Sequence, residues 1–165
     1  MLQPAVVMAL VALLLASPVA GASLSLCHSE EKIVFACTVG TKLVSLCEEP
    51  AVKGGAVSLQ YRIGRAGRTP EMRYPTRVDD TPAFRAGSTT LAGGGGAWVE
   101  FDRSRYRYVI FSFWIRSKGE VAGVAVEAGG TRRATLSCRG EATSELGADY
   151  FTAAGLTPSS GEFLP

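Results

Sequence analysis

Hydrophobic and polar residues alternate along much of this chain, which is the pattern of β-strands with one buried face. From Val57 to Ile63, every odd position is apolar and every even position is polar. This period of two predicts a strand that packs on a core with one face and meets water with the other. Tyr106–Arg116 is apolar on both alternating faces in its middle, which predicts a central strand covered on both sides.

Two segments have the pattern of β-hairpins. Residues 32–47 contain two apolar, β-branched runs separated by Gly40-Thr41. Residues 121–138 contain two further runs separated by Gly129-Gly130. Because glycine accepts the left-handed backbone of tight turns, each pair of runs predicts two antiparallel strands joined at these glycines.

Residues 75–96 are poor in apolar side chains and carry Pro82, Gly87 and the run Gly93–Gly96. We expect one long surface loop there. The glycine run lacks the Lys-Ser/Thr pair and the following helix of a phosphate-binding loop. A short edge strand, Thr69–Tyr74, is expected before this loop, and a strand over residues 97–101 after it.

These segments predict an all-β domain, an antiparallel sandwich or small barrel of about eight short strands. Near the C-terminus, Asp149 is expected to cap a short helix over Tyr150–Ala154, which ends at Gly155. The predicted single β domain spans residues 23–157, and residues 158–165 are expected to form a loose tail.

Residues 1–22 differ from the rest of the chain. They contain no charged side chain, carry an apolar run from Ala5 to Ala16, and end in the small-x-small triplet 20–22. This pattern predicts a secretory signal peptide, and therefore a secreted or periplasmic protein. The apolar run is shorter than the roughly 20 residues of a membrane-spanning helix, so we expect no transmembrane segment after cleavage.

The four cysteines are expected to form two disulfides, because they would lie in an oxidising compartment. Three pairings are possible. In a hairpin that turns at Gly40-Thr41, Cys37 lies near the turn and Cys47 near the open end, so a bond between these two would be out of register. Cys27 needs only a short curl of chain to reach Cys47, which leaves Cys37 for Cys138. The expected pairs are Cys27–Cys47 and Cys37–Cys138.

Charge is distributed unevenly although the net charge is only +2. Residues 62–118 hold eleven basic and five acidic residues, a charge of +6, which leaves −4 for the rest of the chain. Guanidinium forks bind carboxylate and phosphate groups, so an arginine group near a turn is a candidate binding site for an anionic envelope component or a protein. An ordinary solvated surface is the alternative. The candidate residues are Arg62, Arg65, Arg68 and Arg73.

The sequence contains no recognisable catalytic set. His28 is the single histidine, no serine lies in a nucleophile-elbow sequence, and no Cys-x-x-Cys pair suits zinc. The acidic pairs 30–31, 48–49 and 79–80 are adjacent residues, which on a strand point to opposite faces rather than across one cleft. We therefore expect a non-enzymatic protein without metal or cofactor. A carboxylate-dependent hydrolase of cell-wall glycan, with Asp79 and Asp80 as its pair, remains an alternative.

Aromatic and basic residues are interleaved over residues 103–114, a pattern that also occurs in single-strand nucleic-acid platforms. Burial of the aromatic residues in a core explains the same pattern, and a secreted protein seldom meets nucleic acid. We expect no nucleic-acid partner.

Five segments carry a further signal: residues 31–37, 43–47, 59–64, 93–98 and 144–151. Together they resemble a family of uncharacterised secreted or periplasmic bacterial proteins with four cysteines. The resemblance implies a secreted β domain and no particular activity. A looser similarity, in Phe35-Ala36-Cys37 followed by Gly40, is to the periplasmic inhibitors of C-type lysozyme. It implies inhibition of a lysozyme-like hydrolase as a further alternative, although the serine-rich inhibitory loop of those proteins is absent.

Overall fold

A computed structural model describes residues 24–49, 57–77 and 84–165. The predicted signal peptide and the Asp79-Asp80 pair lie outside these residues. Within them the chain forms eleven strands and one short helix. In chain order they are β1 (Lys32–Val39), β2 (Lys42–Glu49), β3 (Ser58–Gly64), β4 (Met72–Tyr74), β5 (Arg85–Leu91), β6 (Gly94–Arg103), β7 (Tyr106–Ile115), β8 (Gly119–Ala128), β9 (Thr131–Ser137), β10 (Arg139–Ser144), α1 (Ala148–Ala153) and β11 (Thr157–Pro158).

The strands form two sheets, which confirms the predicted all-β sandwich with a short C-terminal helix. The first sheet has the order β10-β1-β2-β3-β4, and the second has the order β11-β5-β6-β7-β8-β9. Neighbouring strands are antiparallel, except that β11 runs parallel to β5. Both predicted hairpins are present, as β1–β2 and as β8–β9. In the first, Gly40 adopts the expected left-handed conformation, with φ at +60°.

The core lies between the two sheets and is rich in aromatic rings. The alternating apolar positions of β3 contribute Tyr61, which lies 5.3 Å from Phe101 between ring centroids. Phe101 in turn stacks on Tyr74 at 4.4 Å and on Tyr108 at 5.0 Å. These contacts join both sheets, since Tyr61 and Tyr74 belong to the first and the other two rings to the second.

The disulfides are Cys27–Cys47 and Cys37–Cys138, the same pairs that the hairpin geometry predicts, with Cα–Cα distances of 5.4 and 5.6 Å. Cys47 lies opposite Ile33 and Cys37 opposite Val44, so the two hairpin cysteines are out of register with each other. The first disulfide fastens the N-terminal segment to β2. The second joins the sheets, because Cys138 is the single residue between β9 and β10.

The long loop expected over residues 75–96 is wrong in its second half, where β5 and the start of β6 lie. Gly94, Gly95 and Gly96 are part of strand β6, and only Gly93 lies in the turn before it. A Cβ on Gly95 would lie 2.7 Å from the carbonyl oxygen of Thr89, and one on Gly96 would lie 2.3 Å from the ring of Phe113. Glycine is therefore required here by close packing between neighbouring strands.

The expected loose tail is also corrected. Residues 157–158 pair with β5, and Phe163 is only 2% exposed. Its ring lies 5.2 Å from that of Phe111 and 6.1 Å from that of Trp98 on the outer face of the second sheet. The tail thus covers a second apolar cluster, separate from the core between the sheets.

The helix begins two residues earlier than expected. Gly147 is its N-cap and makes no side-chain capping bond, while Asp149 lies in the first turn. An acidic side chain in that turn still interacts favourably with the helix dipole. In the described part of the chain, no helix has the length and apolar character needed to cross a membrane.

Candidate functional site

Arg62, the first of the four candidate binding arginines, is buried, and its guanidinium is bonded within the chain rather than presented to solvent. Its side chain is 4% exposed. The guanidinium donates to both carboxylate oxygens of Glu31 at 2.6 Å, to the carbonyl oxygen of Leu26 at 2.8 Å, and to Oε1 of Gln60 at 2.6 Å. Arg62 is therefore already bound to a carboxylate of its own chain.

The segment of residues 24–31 covers this arginine. The backbone N–H of Leu26 donates to Oγ of Ser45 at 2.9 Å, and the disulfide Cys27–Cys47 fixes the same segment to β2. Burial by itself would raise the pKa of the Glu31 carboxyl. The hydrogen bonds from Arg62 and from the backbone N–H of His28, together with the Arg62 charge, outweigh burial and lower it. The alternation in β3 correctly places Arg62 on the face away from the core, but this segment closes that face.

One group of possible metal ligands lies here, since Cys27, Glu31 and Cys47 place one ligand atom each within 4.8 Å of one another. Both sulfurs are joined in the disulfide, and only a free thiolate binds metal well. Both oxygens of Glu31 accept hydrogen bonds from Arg62. The disulfide and the ion pair therefore attach the N-terminal segment to the first sheet.

The other three candidate arginines are exposed. Arg65 and Arg68 lie in the β3–β4 connection, where the backbone N–H of Arg68 donates to the carbonyl oxygen of Arg65 at 3.2 Å. Arg73 lies on β4, opposite Arg62 in the register. In the described ranges, no carboxylate forms an ion pair with any of these three. The predicted group is thus divided into a buried structural residue, a loop pair and an edge-strand residue.

The loop pair belongs to a larger group of cations at one end of the sandwich. The β1–β2, β3–β4, β5–β6 and β7–β8 connections and the β9–β10 crossing all lie at this end. Because the β9–β10 crossing is only one residue long, the ends of the two sheets lie next to each other there. Five exposed cations, here called the basic end, lie in or next to these connections: Arg65, Arg68, Arg116, Lys118 and Arg139.

None of the basic-end cations forms an ion pair within the described residues. The turn that bears Arg116 and Lys118 is anchored, since the N–H of Arg116 donates to the carbonyl oxygen of Gly93 at 2.7 Å. Trp114, two residues before Arg116, is 57% exposed. Two unpaired cations of the basic end, Arg116 and Lys118, therefore lie on an anchored turn, and an exposed aromatic ring lies just before it in the chain.

Arginines on the outer face of the second sheet are paired by contrast. Glu100, which is 2% exposed, accepts hydrogen bonds from Arg85 at 2.9 Å and from Arg107. Arg107 also donates to Glu127 at 2.8 Å. Hydrogen bonds to Asp102 and Glu100 raise the pKa of Arg85, and the Glu100 and Glu127 carboxylates outweigh burial to raise the pKa of Arg107. The guanidinium groups of Arg85 and Arg107 are therefore bound to carboxylates of the same sheet.

The described acidic pairs do not converge on a cleft. Glu31 is bound to Arg62, and Glu48 accepts a hydrogen bond of 2.7 Å from the hydroxyl of Tyr150. Burial and the Glu48 carboxylate both raise the pKa of that hydroxyl. His28 is exposed and its backbone N–H donates to Glu31. Glu31 and Glu48 each therefore have a structural partner.

Sequence reasoning missed Arg116, Lys118 and Arg139 as companions of Arg65 and Arg68. Arg116 ends the predicted strand Tyr106–Arg116 and Arg139 follows the predicted second hairpin, but the alignment of strand ends on two sheets is not visible along a chain. No family model, curated protein or solved structure matches this chain. What it binds is therefore inferred from its own charge and geometry.

Proposed function

We propose that this protein is a secreted or envelope-associated, non-enzymatic β-sandwich that binds an anionic component of the cell envelope through its basic end. The observation that carries this proposal is the separation of its cations. Arg62, Arg85 and Arg107 on the sheets are paired with carboxylates, whereas the five cations at the basic end are exposed and without a carboxylate partner in the described part of the chain.

The basic end has the chemistry for an anionic surface. Arginine forks bind phosphate and carboxylate bidentately, and a cluster of one sign raises the local concentration of an oppositely charged ligand. The connections are short and anchored. In the longest, β3–β4, the N–H of Glu71 donates to the carbonyl oxygen of Ile63 at 2.8 Å, and the Glu71 carboxylate pairs with Lys42. Because the turns are anchored, their backbone loses little conformational entropy on binding.

Two features support the proposed location. The chain forms two disulfides, which persist in oxidising compartments such as the periplasm and the cell exterior. The first 22 residues have the pattern of a secretory signal peptide.

The test is cosedimentation of the oxidised protein with vesicles of phosphatidylcholine alone or mixed with phosphatidylglycerol. We expect salt-sensitive binding to the anionic vesicles only. An R65Q/R68Q variant should bind about 30-fold more weakly, since each cation near an anionic surface contributes about 1 kcal/mol. An R116Q/K118Q variant should lose a similar amount.

The matched control is R77Q/R103Q, which removes the same charge from exposed positions outside the basic end. It should bind like the unmodified protein. Equal loss in the control would show that binding follows net charge alone, and no binding to anionic vesicles would contradict the proposal.

A further inference from the structure

A cleft of about 550 Å³ lies at the end of the sandwich opposite the basic end. It is formed by two neighbouring hairpin turns, β6–β7 and β8–β9, which are adjacent because β7 pairs with β8. Its volume falls within the range of small-molecule sites, roughly 300–1,000 Å³. The lining residues are Arg105, Tyr106, Ala128, Gly129 and Arg133.

The two arginines of the cleft differ from their neighbours in having no carboxylate partner in the described part of the chain. Arg107 and Arg132 both pair with Glu127. Arg105 instead donates to the hydroxyl oxygen of Tyr106 at 3.1 Å and lies 5.2 Å from the centre of its ring. Because one bond uses only one of its donors, Arg105 retains N–H groups for a ligand.

A β-bulge places Arg133 beside the cleft. The β8–β9 register pairs Val126 with Ala134 and Glu127 with Arg132, so Arg133 is the additional residue of β9. A bulge removes one residue from the ladder and redirects its side chain. Arg132, just before it, turns to Glu127 and to the carbonyl oxygen of Leu164. Arg132 therefore bonds to groups of its own chain, whereas Arg133, the next residue, lines the cleft.

The two turns also have unusual backbones. Ser104, immediately before Arg105, has a φ of +56°, a conformation that is strained for a residue other than glycine. Gly129, with a φ of +59°, has nothing within 4 Å of an added Cβ. A side chain at Gly129 would thus be strained and would take up open space at the cleft.

We propose that this cleft binds the anionic group of a small soluble molecule, a phosphate or carboxylate carried on a sugar-sized body. Arg105 and Arg133 supply charged hydrogen-bond donors to the anion. The Tyr106 hydroxyl accepts from Arg105, which leaves its own O–H free to donate to the same group. The half-buried ring of Tyr106 offers an apolar surface to the ligand body.

The test is isothermal titration of the oxidised protein with inorganic phosphate, glucose 6-phosphate, glucuronate and, as the uncharged control, glucose. We expect saturable binding of one or more of the anions and none of glucose. The glucose 6-phosphate and glucuronate arms distinguish a phosphate ligand from a carboxylate ligand. R105Q and R133Q should each weaken the binding about tenfold or more, since a hydrogen bond to a charged group contributes about 1.5–3 kcal/mol.

The matched control is R103Q, which removes an exposed arginine that does not line the cleft. It should leave the affinity unchanged, as should the basic-end variant R65Q/R68Q, so this proposal is tested independently of the vesicle experiment. Equal weakening by R103Q, or failure of all three anions to bind, would overturn it. Urea denaturation of each variant establishes that the fold is retained.

Discussion

Arg62 on β3 holds the carboxylate of Glu31 with two hydrogen bonds of 2.6 Å, and both side chains are nearly inaccessible, at 4% and 3% exposure. The two residues are 31 positions apart. With the disulfide Cys27–Cys47, this ion pair fastens the N-terminal segment across the first sheet. The guanidinium of Arg62 is thus occupied by a carboxylate of its own chain.

Removal of either partner of this pair should destabilise the protein strongly. Glu31→Gln or Arg62→Gln leaves one buried charge without its counterion, which costs about 3–5 kcal/mol. The free energy of unfolding in urea, with disulfides intact, measures the loss. Arg73→Gln is the control, because Arg73 lies opposite Arg62 but is exposed, and its loss should stay within about 0.5 kcal/mol. Similar small losses in all three variants would show that the ion pair does not stabilise the fold.

Stability should fall at acid pH, in part through Glu31. The pKa of this carboxyl is lowered in the folded protein, so the unfolded chain takes up the proton first as pH falls. Its contribution is complete above the ordinary value of 4.5 and is lost as pH falls through the lowered folded pKa. Urea midpoints measured from neutral pH to below this window should show a smaller acid-dependent decrease in Glu31→Gln than in the unmodified protein. An identical decrease would contradict this assignment.

The two disulfides should contribute unequally. Cys37–Cys138 spans 101 residues and Cys27–Cys47 spans 20. In the loop-entropy model they contribute about 4.7 and about 3.3 kcal/mol, respectively. Replacing each pair with alanine and comparing the free energies of unfolding tests the order. Greater loss on removal of the short-range pair would show that its attachment of residues 24–31 matters more than loop length.

Phe163 should anchor the C-terminal tail. Phe163→Ala removes a ring that contacts Phe111, Phe113 and Trp98, and should cost about 3 kcal/mol. Trp98 is 3% exposed and Trp114 57% exposed, so fluorescence in a Trp114→Phe background reports on Trp98 and should shift to the red. Leu164→Ala, at a side chain that is 55% exposed, is the matched control and should change neither quantity.

The glycine run should tolerate substitution unequally. Gly96→Ala would place a Cβ 2.3 Å from Cγ of Phe113, whereas on Gly93 the nearest atom is 3.7 Å away, an ordinary contact. Gly96→Ala should therefore destabilise the protein by about 1–3 kcal/mol, and Gly93→Ala by much less. Thermal unfolding of both variants tests this difference. Equal effects would mean that the run is needed for the turn rather than for strand packing.

The period-two pattern by itself determined where some of the strands lie and which face of those strands is apolar. Alternation located β3, while apolar runs located β7 and, with the glycines between them, both hairpins, because these signals are all local properties of the chain. The register of the first hairpin also determined the disulfide pairs, since a cysteine near the turn cannot reach one at the open end. The prediction was strongest for strands such as β3, in which one face carries apolar side chains and the other carries polar ones.

Only the tertiary structure decided what covers the outward faces. Arg62 lies on the polar face of β3, but residues 24–31 bury it. Phe163 follows a proline- and glycine-rich stretch, yet docks on the aromatic face of the second sheet. The same holds for the basic end, where turns far apart in the chain share one end. A local pattern reports the orientation of a side chain relative to its strand, whereas burial and clustering depend on contacts between segments distant in sequence.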